Sequence, residues 1–340
     1  YMNEEVYKEM QMDTSGTFGG LGIEITTDKG FIKIISPIDD TPADKAGIQA
    51  GDYITHLNGE SVVDMNLKEA IDIMRGEVGT PITITIIRGA EEPFDVELVR
   101  DTIKMASVKH RVLNNVGVLR VSTFNEQTTS GLKDSIKELE ESENPPIGYV
   151  LDLRNNPGGL LTESVSVSDL FLEQGEIVSI RGREKKDVQV FSAKKGDLIN
   201  KKPLVILINE GSASASEIVA GALQDHDRAV IMGMKSFGKG SVQTIVPIDS
   251  GAIRLTIAKY YTPSGDSIQA VGIEPDVVVP RAELNIIDNY FTFRESDYKD
   301  ALDNETTNGD EEEATSTDIL EQDYQLSRAV DAVKTIAVLN

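Results

Sequence analysis

The stretch Gly148-Tyr-Val-Leu-Asp-Leu-Arg-Asn-Asn-Pro-Gly-Gly159 decides the fold. Its first six residues form an almost continuous apolar run, which is typical of a strand buried on both faces of a parallel sheet. A proline and two glycines end the run, and a helix is predicted over 161–171. A second apolar strand at 203–208 leads into a small-residue loop and a helix to about residue 225, and a third strand is predicted at 229–232. This strand–loop–helix alternation predicts βαβ crossovers and an α/β fold after about residue 105.

The bulk composition is that of a globular protein with room for two domains. The chain has 340 residues, of which 39% are hydrophobic and 26% charged, and it contains no run of eighteen apolar residues. Its formal net charge of −24 opposes general binding to nucleic acid, because phosphates would be repelled. Cysteine is absent, which excludes disulfides and thiolate chemistry.

Residues 17–102 form a separate block of predicted short strands and two helices. Gly19-Gly20-Leu21-Gly22-Ile23 resembles the carboxylate-binding loop of PDZ domains, and the stretches at 46–52 and 57–59 extend the resemblance. Glycines let successive N–H groups converge on a peptide carboxylate, and the peptide would add as a strand between 23–27 and the helix at 66–74. A glycine-rich turn without a ligand is the alternative. The predicted peptide-binding residues are Gly20, Leu21, Gly22, Ile23, Ala70, Ile71 and Met74.

Ser214 is a candidate nucleophile. It lies in Gly211-Ser-Ala-Ser-Ala-Ser-Glu217, directly after a buried strand and before a helix. The helix N-terminus presents free N–H groups that favour developing negative charge. The same residues also match a capping box, in which Ser214 and Glu217 merely cap the helix. Local pattern alone leaves both interpretations open.

A serine nucleophile needs a base, and the histidines do not provide one. His226 lies twelve residues along the same helix, roughly 18 Å from Ser214 at 1.5 Å per residue. His56 belongs to the PDZ-like block. Lys239, bracketed by Gly238 and Gly240, is the alternative, because Ser-Lys pairs are a known variant of this chemistry.

A lysine base has to be neutral, which removal from water favours. Lys239 precedes a predicted strand over 241–247, so that Lys239 and Gln243 share one face of it. Gln243 is therefore a candidate to hold the lysine amine by a hydrogen bond. A plain loop lysine is the alternative for Lys239 taken alone.

The segment at 233–240 nearly matches a phosphate-binding P-loop. Position 240 is glycine, so the magnesium-binding hydroxyl is missing, and the residues that follow predict a strand where a P-loop opens a helix. We therefore exclude nucleotide binding.

Five ordered motifs resemble the carboxyl-terminal processing peptidases, a serine family of bacteria and plastids. They are the stretches at 151–159, 211–218, 237–243, 260–265 and 272–276, and the resemblance covers about residues 1–282. It implies Ser214 as nucleophile, Lys239 as base and Gln243 as its orienting residue. It also implies an oxyanion hole from backbone amides, which we place near Gly158 or Gly159 and at Ala215.

The resemblance implies a PDZ domain joined to a crotonase/Clp-peptidase-like βαβ peptidase core, hence an α/β fold plus a small β-rich module. The predicted domains are the end of a helical region at 1–16, the PDZ domain at 17–102, the peptidase core at 103–282, and an acidic linker with a C-terminal helix at 283–340. The acidic stretch predicts a solvated segment rather than a metal site.

The family works outside the cytoplasm, in the periplasm or cell envelope, without metal or cofactor. We expect a missing segment before Tyr1 that tethers the protein to a membrane. Expected partners are protein or peptide substrates with apolar C-termini, further copies of the chain, and a regulatory adaptor; no nucleic acid is expected. A peptide-binding adaptor that no longer cleaves is the alternative function, because the PDZ groove alone would suffice for it.

Overall fold

The computed structural model describes residues 1–282 and 323–339, apart from positions 29, 64 and 185. The predicted acidic linker at 283–322 lies outside the described residues. The chain divides into two compact units. The first comprises residues 1–107, 125–127 and 245–254, and the second comprises 108–124, 128–244 and the described residues from 255 onward. None of the described helices combines the length and apolar character needed to cross a bilayer.

The first unit is the predicted small β-rich module. Its helices are α1 (Glu4–Ser15), α2 (Pro42–Lys45) and α3 (Leu67–Met74). Its strands are β1 (Met2–Asn3), β2 (Thr17–Gly20), β3 (Ile23–Asp28), β4 (Phe31–Pro37), β5 (Tyr53–Leu57), β6 (Glu60–Ser61), β7 (Pro81–Ile87), β8 (Phe94–Val99) and β9 (Asp101–Lys104). The main sheet has the order β3-β4-β5-β7-β8, and β6 pairs with β5. Alternating isoleucines, among them Ile34, Ile54 and Ile84, fill the core beneath it.

The helix predicted at 66–74 is confirmed as α3. Asn66 is its N-cap: its side chain accepts the Glu69 amide, and the Glu69 side chain accepts the Asn66 amide in return. This reciprocal pair satisfies two amides that a helix start leaves unbonded. The face carrying Ala70 and Met74 is buried against the sheet.

The second unit is the α/β core. Its helices are α4 (Thr128–Glu140), α5 (Leu161–Asp169), α6 (Ala215–Asp225) and α7 (Tyr324–Leu339). Its strands are β10 (Val108–Leu113), β11 (Val116–Val121), β12 (Gly148–Asp152), β13 (Glu176–Arg181), β14 (Val188–Ser192), β15 (Leu204–Ile208), β16 (Val230–Gly233) and β19 (Val277–Val278). Two further strands, β17 (Ser241–Ile248) and β18 (Gly251–Tyr261), pair with each other and have residues in both units.

The central sheet has the order β10-β11-β12-β15-β16-β19, and every pair is parallel except β10 with β11. All five residues of β12 and of β15 are buried, as their apolar runs predict. One face packs on α4, α5 and α6, whereas the other packs on the apolar side of α7. The predicted βαβ core is confirmed as a three-layer arrangement.

Candidate active site

Three loops meet at one edge of the central sheet. β12, β15 and β16 are adjacent and parallel: Leu151 lies beside Ile206, which lies beside Ile231. Their carboxyl ends therefore share one edge, where α/β proteins bind their ligands. The loops that follow these strands carry the predicted residues Gly158 and Gly159, Ser214, and Lys239 respectively.

Ser214 has an unusual backbone conformation. Its φ of 54° and ψ of −110° lie outside the regions that non-glycine residues favour, and such strain is held only where the surroundings enforce it. The neighbours are fixed by Asn156, whose carbonyl oxygen accepts the Ala213 amide and the Ser216 hydroxyl, each at 3.0 Å. Ser214 itself is 8% exposed, so its position is nearly enclosed.

In the capping box predicted for Ser214, the Glu217 side chain binds the main chain of Ser214. The Ser214 amide donates to Glu217 Oε2 at 2.7 Å, and the Glu217 amide donates to the Ser214 main-chain oxygen at 2.9 Å. Capping and catalysis therefore do not exclude each other here, because Glu217 holds the main chain of the serine.

Glu217 also binds the lysine loop, a role that sequence analysis missed. Its Oε2 accepts the Lys239 amide at 2.9 Å, and its Oε1 accepts the Ser236 hydroxyl at 2.6 Å and the Gly238 amide. The residue is 0% exposed and faces four donors, an arrangement that a carboxylate can satisfy completely. Glu217 thus connects the loops of Ser214 and Lys239 through one buried side chain. The available signal was a glutamate at the start of an otherwise apolar helix.

Two of the predicted oxyanion residues, Gly158 and Ala215, lie beside the serine, and Gly159 follows Gly158. A Cβ on Gly158 would fall 2.8 Å from Ser214 Cβ and 2.9 Å from the Ala215 nitrogen, so only glycine permits this approach. The Gly158 amide donates to Asn156 Oδ1 at 2.9 Å. The amides of Gly159 and Ala215 have no acceptor within the part of the chain that the structure describes. Unengaged donors next to a serine hydroxyl can stabilise an oxyanion.

Lys239 is partly buried between two glycines. A Cβ on Gly240 would lie 2.3 Å from the Gln269 nitrogen, which explains the glycine after the lysine. No carboxylate forms an ion pair with Lys239 among the described residues.

Gln243 lies on β17, two residues after Ser241. The strand predicted after Lys239 is confirmed, and Val242 is buried whereas Gln243 is exposed on the opposite face. Within the described residues no hydrogen bond joins Gln243 to Lys239. Its orienting role stays a prediction.

His226 lies at the far end of α6 from Ser214, as expected. It follows the last residue of the helix, and its Nε2 contacts the Glu176 carbonyl oxygen at 2.7 Å. His226 therefore supplies no base to Ser214. His56 lies on β5 in the first unit.

The predicted peptide groove in the first unit contains an apolar pocket of about 130 Å³. Its lining comprises Phe18, Gly20, Leu21, Gly22, Ile23, Ile25, Ile71, Met74 and Arg75. Ala70, also predicted for the groove, is instead fully buried in the core. The Leu21 and Gly22 amides have no acceptor in the described parts of the chain, which suits a loop that binds a carboxylate.

Two parts of the chain match models of known protein families. Residues 115–279 match the model of peptidase family S41, and residues 33–88 match that of a PDZ domain. The class is therefore a peptidase that carries a PDZ domain.

Individual relatives then define the family. The chain is 57% identical over 283 residues to a carboxy-terminal-processing protease of Bartonella bacilliformis, covering 82% of this chain and 65% of that protein. It is 37% identical to a probable CtpA-like serine protease of Staphylococcus epidermidis, covering 96% and 70%. The solved photosystem II D1 C-terminal processing protease is similar at 31% identity with a TM-score of 0.50, covering 82% and 77%. The chain belongs to peptidase family S41, the family of the carboxy-terminal-processing proteases.

Proposed function

We propose that this protein is a serine endopeptidase that cleaves proteins recognised through their C-terminal tails. Ser214 Oγ attacks the scissile carbonyl carbon, and Lys239 Nζ takes the hydroxyl proton. The tetrahedral intermediate collapses to an acyl-enzyme as Lys239 returns the proton to the leaving amine. Water, deprotonated by the same lysine, then hydrolyses the ester and frees Ser214.

The observation that carries the proposal is the shared carboxylate of Glu217. One oxygen, Oε2, accepts the main-chain amides of both Ser214 and Lys239. A hydrogen-bonded link of this kind fixes the spacing of the two loops, which a nucleophile and its base require. Helix capping alone explains the bond to Ser214 but not the bond to Lys239.

Stabilisation of the oxyanion falls to backbone amides in this proposal. Ala215 lies at the N-terminus of α6, and its N–H has no acceptor among the residues that the structure describes; the Gly158–Gly159 pair supplies the second donor. Removal of one such donor costs about 10²- to 10³-fold in kcat in serine peptidases. Gln243, on the same strand face as Ser241, would bind and orient the lysine amine when substrate arrives.

The PDZ unit would recognise the tail and regulate cleavage. Its pocket is apolar, which suits substrates that end in apolar residues, and the amides of Leu21 and Gly22 suit the terminal carboxylate. We further propose action in the periplasm or cell envelope. We also propose that the protein assembles with further copies of itself and binds a regulatory adaptor.

The test is incubation with an unstructured protein that ends in apolar residues, followed by mass spectrometry of the products. Wild-type protein should cleave it, whereas Ser214→Ala and Lys239→Ala should not. Cleavage that survives Lys239→Ala would refute the Ser-Lys pair. If the wild type binds the tail but does not cleave the protein, even when the tail saturates the PDZ unit, the result would support the adaptor. The observation that favours the adaptor is the apolar pocket.

A further inference from the structure

Arg154 is the centre of a partly buried ion cluster next to the catalytic loops. It follows β12, and its Nε and Nη2 donate to the two oxygens of Asp152 at 2.9 and 2.8 Å. Its Nη1 and Nη2 donate to the two oxygens of Asp323 at 2.8 and 2.7 Å, and Nη1 also reaches Gln325 Oε1 at 3.1 Å. All five N–H groups of the guanidinium are therefore used. Burial alone would lower the pKa of Arg154, but the two carboxylates raise it above its ordinary value.

Asp323 and Gln325 belong to the start of the C-terminal helix α7. Asp323 Oδ1 accepts the Leu326 amide at 3.1 Å, and Gln325 Nε2 donates to the Val279 oxygen at 2.7 Å. The buried side of α7 then packs on the central sheet through Leu326, Ala329, Val330 and Val333, none more than 1% exposed. The first turn of α7 is thus a fixed partner for Arg154.

On the other side of Arg154, two asparagines connect it to the catalytic loops. Asn155 has a φ of 53°, and its amide donates to Asn209 Oδ1 at 2.8 Å while Asn209 Nδ2 donates back at 2.9 Å. Asn209 Oδ1 also accepts the Gly211 amide at 3.0 Å. Asn156 binds Gly158 through its side chain and Ala213 through its carbonyl oxygen. Arg154 therefore precedes the two residues that join the glycine loop to the nucleophile loop.

We propose that Arg154 is a positioning residue for the catalytic loops and that the first turn of α7 holds it there through Asp323. The C-terminal helix is then part of the catalytic apparatus, although none of its residues reacts. The inference rests on the proposed function for its kinetic consequence, but its structural consequence can be measured without any substrate. Loss of Asp323 leaves two donors of Arg154 without their acceptor, so the arginine and the following asparagines lose their fixed position.

The test compares Asp323→Asn with Asp331→Asn in the full chain. Asp331 is the matched control, since it lies in the same helix and forms an exposed 3.6 Å pair with Arg328. Hydrogen–deuterium exchange of the loops at 154–160 and 209–216 should be faster in Asp323→Asn and unchanged in Asp331→Asn. The kcat of Asp323→Asn should fall about 10- to 100-fold with KM little changed, as for other misplaced catalytic groups. Asp323→Glu, which keeps the carboxylate, should restore most of both properties.

Unchanged exchange in both loops, or faster exchange confined to α7, would overturn the proposal. So would equal effects of the Asp323 and Asp331 substitutions. If wild type cleaves no substrate, the proposed function fails, while the exchange comparison still decides the positioning role. If Asp323→Asn does not fold, Arg154→Lys keeps the charge without the forked geometry and should loosen the same loops; intact loop protection there would also overturn the proposal.

Discussion

Replacement of Glu217 by glutamine tests whether one buried carboxylate holds the loops of Ser214 and Lys239 in place. The carboxylate accepts four hydrogen bonds, two at each oxygen, from Ser214, Ser236, Gly238 and Lys239. An amide keeps one accepting oxygen and turns the other into a donor. At the position of Oε2 that donor faces two main-chain amides, so two hydrogen bonds are lost. At the position of Oε1 it faces the Gly238 amide and the Ser236 hydroxyl, which can turn to accept, so at least one is lost.

The expected magnitude follows from the number of lost bonds. Hydrogen bonds to charged groups contribute about 1.5–3 kcal/mol each, so the loss of one or two should cost about 1.5–6 kcal/mol. For a unit of this size, that loss corresponds to about 3–24 °C in melting temperature. Because the lost bonds also set the spacing of Ser214 and Lys239, kcat/KM should fall about 100-fold in molecules that remain folded.

The assay combines a thermal melt with cleavage of the unstructured substrate at a temperature where the variant is folded. Glu274→Gln is the matched control, since Glu274 pairs with Lys235 on the surface and its side chain is 66% exposed. A change of that kind should stay within about 0.5 kcal/mol. A Glu217→Gln protein with a melting temperature within about 2 °C of wild type and unchanged kcat/KM would refute the reasoning.

Two further predictions concern other parts of the molecule. Gly158→Ala places a Cβ 2.6 Å from the Ala213 oxygen and should lower kcat/KM at least about 100-fold, whereas Gly196→Ala, also at positive φ but with no atom within 4 Å, should keep it. Burial raises the pKa of Asp52, but the Arg88 fork outweighs it and holds that pKa below its ordinary value. The stabilisation is therefore complete above about pH 4 and is lost as the pH falls through the lowered pKa, so urea unfolding of the PDZ unit should show an acid-sensitive loss of stability that Asp52→Asn abolishes.

Apolar runs and helix signals predicted most of the core. The fully buried strands β12 and β15 and the helix α3 with its Asn66 cap were all evident, because each depends on local pattern. The strands β10 and β14 are among those that the sequence pattern does not predict. Their residues alternate between charged, polar and apolar side chains that stay largely exposed, so no apolar run marks them.

The sequence predicts a reactive pair, Ser214 and Lys239, but not the residues that hold their loops in place. Ser214 and Lys239 follow from the motifs, whereas the link through Glu217 depends on which strands lie side by side. The pairing of Arg154 with Asp323 is likewise invisible in sequence, because the two residues belong to distant segments. Ala70 is predicted for the groove because it shares a helix face with Ile71. Its short side chain lies deeper than that of Ile71, so Ala70 is buried in the core whereas Ile71 lines the pocket.

The parallel adjacency of β12, β15 and β16 also determines when the protein becomes competent during its synthesis. The three strands leave the ribosome in sequence order, and the nucleophile loop is made before the lysine loop. Parallel pairing over long sequence separations is slow to form, because the closure of the intervening chain comes first. The candidate site therefore assembles only once the core has folded, and under the proposed function a nascent chain would not yet carry an active peptidase.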